Sequence, residues 1–173
     1  MKKINLAKQL WWLLPLLIAG LILFRAFSGS EHLKEAQKIP NLGNKHITSV
    51  IEAHEPYNSN PPTSGPHIGS SVAPWGVSKE IVSDELQVHN LEDGGVIIQY
   101  NPDKLNSEEI TKLESMISLH QHILVAPRYE MDYIIALTAW NRLLPLEKVD
   151  EEKIKAFVSK YAGIDHHVRA PGY

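Results

Sequence analysis

Residues 54–76 carry Pro56, Pro61, Pro62, Pro66 and Pro74 together with Gly65, Gly69 and Gly76. Proline removes a backbone donor and fixes φ, and glycine weakens the interior of any helix or strand. No regular helix or central strand runs through such a stretch. The fold therefore has to be built around a long irregular segment, and loops of this length inside compact domains are commonly functional.

The regular elements fall on either side of it. Residues 46–53 (His-Ile-Thr-Ser-Val-Ile-Glu-Ala) are rich in β-branched types and read as a strand. Val96 to Tyr100 reads as a strand opened by Gly94-Gly95 and closed by Asn101-Pro102. Asn106 with Glu109 forms a capping-box pattern, and Ile110, Leu113 and Ile117 follow at helical spacing. Ile123 to Ala126 is a further strand stopped by Pro127, and Tyr133 to Trp140 is another, apolar enough to be buried on both faces. Asp150 caps a last helix whose stripe is Ile154, Phe157, Val158 and Tyr161, ended by Gly163. The expected class is α+β, a small mixed or antiparallel sheet with two packed helices. The same order fits the second half of a thioredoxin-like fold, by analogy alone.

Ahead of this domain, Lys2, Lys3 and Lys8 precede an uncharged run from Leu10 to Phe24. A helix apolar all round does not belong in a small soluble domain. With Ala26 and Phe27 the run approaches the roughly 20 residues of a membrane span, with Arg25 snorkelling and Trp11 and Trp12 at the interface. The expected organisation is a basic flank (1–8), a signal-anchor transmembrane helix (9–27), a linker (28–45), an extracytoplasmic domain (46–164) and a tail (165–173). The location is the cell membrane, single-pass, with the bulk of the chain outside. A cleaved signal peptide ending at Ala26-Phe27-Ser28 is the alternative.

Composition removes several function classes. The chain of 173 residues has no cysteine, so disulfide scaffolds, thiolate metal sites and cysteine nucleophiles are excluded. Residues 1–30 hold four bases and no acid, which leaves 13 bases against all 20 acids in the remainder. That acidic balance disfavours nucleic acid as a partner. Nine histidines are the unusual feature.

Two segments concentrate chemistry. One is His54-x-x-Tyr57-x-x-Asn60-Pro61-Pro62-Thr63-Ser64-Gly65-Pro66-His67, and the other is Val88-His89-Asn90-Leu91-Glu92-Asp93-Gly94-Gly95-Val96. With Trp75-Gly76, Gln99-Tyr100-Asn101-Pro102 and Ala136-Leu137-Thr138-Ala139-Trp140-Asn141-Arg142, this string resembles a bacterial family of membrane-anchored proteins, the domain-of-unknown-function family 3105. The resemblance runs from about His54 to Tyr161 and implies no settled activity. Similar proteins often read His-x-Leu-Glu-His-Gly at the second motif, where this chain has Asp93. That exchange keeps a metal ligand and changes its softness, and it equally fits a surface position where any polar residue serves.

Divalent transition-metal binding is the leading expectation. His67 and His89 are the core ligands, Glu92 or Asp93 the third, and His54 an outer or fourth ligand. His89 and Asp93 are four apart, so one helical turn places both on a face. Histidine and carboxylate suit copper(II), zinc or nickel, and intrinsic affinity favours copper(II). His120 and His122 read as a solvated connection, His166 and His167 as a dispensable surface tail, and His32 and His46 have no evident partner. Arg142 is placed to pair with Glu92 or Asp93. A non-catalytic envelope-binding module, with Trp75, Tyr57 and Tyr100 as a contact surface, is the second class. A hydrolase using Ser64 or Thr63 with His67 or His89 is the third.

Overall fold

The structure, a computed structural model, describes residues 36–167. The segment read as a membrane anchor, residues 9–27, lies outside the described residues. Among the described residues no helix is long and apolar enough to cross a membrane.

The chain order is β1 (Gln37–Lys38), β2 (His46–Ile47), β3 (His67–Ile68), β4 (Gly76–Val77), α1 (Asp84–Glu92), β5 (Val96–Tyr100), α2 (Ser107–Ser115), β6 (Ile123–Pro127), β7 (Ile135–Ala139), β8 (Arg142–Leu146) and α3 (Glu151–Tyr161). Six strands form one mixed sheet in the order β1-β8-β7-β5-β6-β4, and β2 and β3 form a separate two-stranded pair. β5 is paired on both edges, parallel to β6 and antiparallel to β7, and all five of its residues are buried. A continuous apolar run is what such a central strand requires. β1 pairs only Arg142 and Leu143 of β8, so Pro145 lies where that edge has no strand partner.

Several expectations are corrected. Among the described residues there are three α-helices where two are expected, the addition being α1. Its sequence, Asp84 to Glu92, has no apolar stripe, and its last six residues are all buried, polar and apolar alike. Val88 and Leu91 face a core cluster with Ala73, Ile97, Leu124 and Trp140. The polar residues of the same turns face the irregular segment. The strand expected over 46–53 is two residues long. The strand expected to end at Trp140 ends at Ala139 and turns through Trp140-Asn141 into β8, with Asn141 at φ 58°, a region asparagine tolerates. The expected linker contributes β1 to the sheet edge.

Asn90 of α1 fastens the irregular segment through two hydrogen bonds. Asn90 is fully buried; its Oδ1 accepts from the Ala73 N–H at 2.9 Å and its Nδ2 donates to the Ala73 carbonyl at 2.9 Å. It thus supplies the two bonds that a strand partner would supply. Tyr57 adds a hydrogen bond from its hydroxyl to the Pro66 carbonyl.

Asn90→Ala leaves a buried N–H and a buried C=O unpaired, and should cost about 2–4 kcal/mol in denaturant unfolding. Asn106→Ala removes an exposed capping box that is present in the structure, and should cost only about 1 kcal/mol.

Candidate metal centre

β2 and β3 pair in parallel, with His46 opposite His67 and Ile47 opposite Ile68. Successive residues of a strand point to opposite sides. Both isoleucines are buried in the protein, and the two imidazoles come together at a centroid distance of 5.0 Å. The His46 ring lies over Gly69, where a Cβ would sit 2.5 Å from the ring. Only glycine leaves room for it.

α1 brings the other side of the site. His89 and Glu92 are three apart, so they share a face of the helix. Glu92 is fully buried. Its Oε1 accepts from Asn44 Nδ2 at 2.7 Å. Its Oε2 lies 2.9 Å from His67 Nε2, 3.8 Å from His46 Nε2 and 3.5 Å from His167 Nε2. Among the described residues no lysine or arginine pairs with this carboxylate.

The tautomers follow from the backbone. His67 Nδ1 is 2.9 Å from the Gly65 carbonyl, and His89 Nδ1 is 2.6 Å from the Ile68 carbonyl. A carbonyl only accepts, so each Nδ1 carries the proton and each neutral ring presents a lone pair at Nε2. This is the arrangement that orients metal-binding histidines. Burial is the main effect on His67 and holds its imidazole below the ordinary value, against the opposing Gly65 bond and Glu92 charge. His67 Nε2 and Glu92 Oε2 have the separation of a hydrogen bond without its angles, and each is buried without a hydrogen-bond partner. Two lone pairs at that distance, away from water, repel one another unless a proton or a metal ion stands between them.

The C-terminal segment closes the group. Gly163 N–H donates to the Gly94 carbonyl at 2.7 Å, and His166 N–H to the Glu92 carbonyl at 2.8 Å. Gly94 has φ 81°, and a Cβ there would meet the Ile164 backbone at 2.7 Å. His167 Nδ1 is 2.7 Å from Asp165 Oδ1, and that bond raises the His167 pKa. His166 stacks on Trp140, whose ring also meets His67 edge-on.

The structure therefore brings His67, His89 and Glu92 together. Asp93 flanks them, with Oδ1 3.7 Å from the Nε2 atoms of His89 and His167. His54 is not brought there. Its Nε2 is 3.5 Å from Glu85, and its ring packs on Tyr57. His46 and His167, given no role by the sequence, complete the cluster. The docked His166 and His167 correct the reading of a free tail. Arg142 donates to the Asn141 carbonyl and lies over the Tyr161 ring. It does not pair with Glu92 or Asp93, so it does not compete with a cation. Ser64 Oγ accepts from the Leu42 N–H, and no hydrogen bond joins it to His67. Tyr100 is buried and Trp75 packs against the core cluster, so the supposed aromatic surface is mostly interior. His122 stacks on Trp75, apart from this cluster.

A histidine whose folded pKa is depressed stabilises the fold above its unfolded value and loses that contribution as pH falls through the folded value. With chelator present, the Tm should fall as pH drops from about 6.5. His67→Asn should make that slope shallower.

Neither the curated proteins nor the solved structures contain a match to this chain. A family model described as "Protein of unknown function (DUF3105)" matches residues 51–171, a span that includes His67, His89, Glu92, Asp93 and His167. On that match, which covers most of its length, the chain belongs to the DUF3105 family.

Proposed function

We propose that this protein binds a divalent transition metal, copper(II) or zinc, through His67, His46 and Glu92, with His89 beside them. The observation that carries the reading is the buried approach of His67 Nε2 to Glu92 Oε2, both without hydrogen-bond partners. Metal–ligand bonds of about 2.0–2.2 Å put the ligands of a tetrahedral ion about 3.4 Å apart. The 2.9 Å and 3.8 Å separations from Glu92 Oε2 to His67 and His46 bracket that value. The ligating atoms of these three residues all lie within 4.8 Å of one another.

The donor set favours borderline over soft ions. Met116 and Met131 are buried elsewhere, and there is no cysteine, so copper(I) has no thioether or thiolate here. The uncharged run from Leu10 to Phe24 supports a place at a membrane, with this centre held outside by a single-pass anchor. The reading is of binding or handling of the ion; no nucleophile–base pair accompanies it among the described residues.

Titration calorimetry with copper(II) and with zinc should show sub-micromolar binding to the purified protein. His67→Ala should weaken it by more than about 100-fold, whereas His54→Ala should leave it unchanged. Gly69→Ala, which displaces the His46 ring while keeping every ligand residue in the chain, should weaken it by about 10–100-fold, the range for lost support of a ligand. Absence of binding, or wild-type affinity in His67→Ala, would refute the assignment.

A further inference from the structure

The candidate ligands do not form one set. Among the described residues they fall into two, His46–His67–Glu92 and His89–Glu92–His167, each with its ligating atoms within 4.8 Å of one another. Glu92 alone belongs to both. We infer that the centre holds two divalent ions bridged by the Glu92 carboxylate, the second bound by His89 and His167 beside Asp93. This rests on the metal-binding reading above and extends it.

The second set has the preparation of the first. His89 Nδ1 is engaged by the Ile68 and Ser71 carbonyls and His167 Nδ1 by Asp165, so both Nε2 atoms are left for an ion. Asp93 Oδ1 stands 3.7 Å from each of those Nε2 atoms and supplies a further oxygen donor. His167 does not hang free, because the two backbone bonds from Gly163 and His166 fasten its segment to the end of α1. Asp93 is a second carboxylate at the outer position and offsets part of the charge that Glu92 alone would leave on two divalent ions.

Both positions keep a face to solvent. His67 and Glu92 are sealed from solvent, while the His167 and Asp93 side chains are 42% and 33% exposed. The His46 side chain of the first set is 54% exposed as well, so each ion would have a sealed side at Glu92 and an open side at a histidine. An open position admits water or an anionic ligand. In paired sites with ions about 3.5–4 Å apart, both ions grip such a ligand.

The test uses the full chain loaded with zinc and examined by native mass spectrometry, then loaded with copper(II) and examined by electron paramagnetic resonance. Two zinc ions are expected on the wild type and one on His167→Ala, a half-exposed position where folding is not at risk. Two bridged copper(II) ions should couple, so the integrated signal of the two-copper form falls well below two spins. A single ion on the wild type would overturn the two-ion centre and leave the single-ion reading standing. Two copper ions with full, uncoupled intensity would overturn it equally, by placing the second ion elsewhere, as at His120 and His122. No ion at all would refute both readings.

Discussion

A carboxylate withdrawn from water costs several kcal/mol unless charge or hydrogen bonds replace its hydration. Glu92 is fully withdrawn, and what surrounds it is one amide and a ring of imidazoles. The nearest, His67, has committed its only neutral-state proton to the Gly65 carbonyl. The pair therefore faces each other with electron density on both sides. A proton shared along their line would show hydrogen-bond angles, which the pair lacks. An ion between them satisfies both atoms at once, and it makes sense of the other histidines that crowd the same oxygen.

The remainder of the fold is arranged to hold these atoms in place. The two-residue pairing of β2 with β3 puts His46 beside His67, and Gly69 leaves space for the His46 ring. Asn90 ties the irregular segment to α1, and α1 carries His89 and Glu92 on one face. The central strand β5 gives α1 a rigid apolar floor through Ile97. The segment after α3 then seals the group from the C-terminal side. The ligands sit on the short β2–β3 pair, on α1 and on the segment after α3, each pinned by backbone bonds, which lowers the ordering cost of binding.

The fold was legible where local chemistry decides it. β5, the Asn106 capping box, the Asp150 cap and the apolar stripe of α3 all have short-range signals, and the structure carries each of them. α1 was hidden because a helix buried on all sides near its end shows no amphipathic period. His67, His89 and Glu92 were visible as motif residues beside glycine and proline. His46 was not, because its neighbourhood is created by strand register across twenty intervening residues. The repeated pair His46-Ile47 and His67-Ile68 was a faint sign of it. His167 looked like part of a polar tail, and only the backbone bonds of Gly163 and His166 give it a place. Long-range pairing decides the positions of His46 and His167, and local patterns encode it weakly.

The most direct measurement is anomalous diffraction from crystals of the zinc-loaded protein. The account predicts a peak at bonding distance from both His67 Nε2 and Glu92 Oε2, about 2.0–2.2 Å from each. A directed hydrogen bond between those two atoms, with zinc absent or bound only at surface histidines, would contradict it.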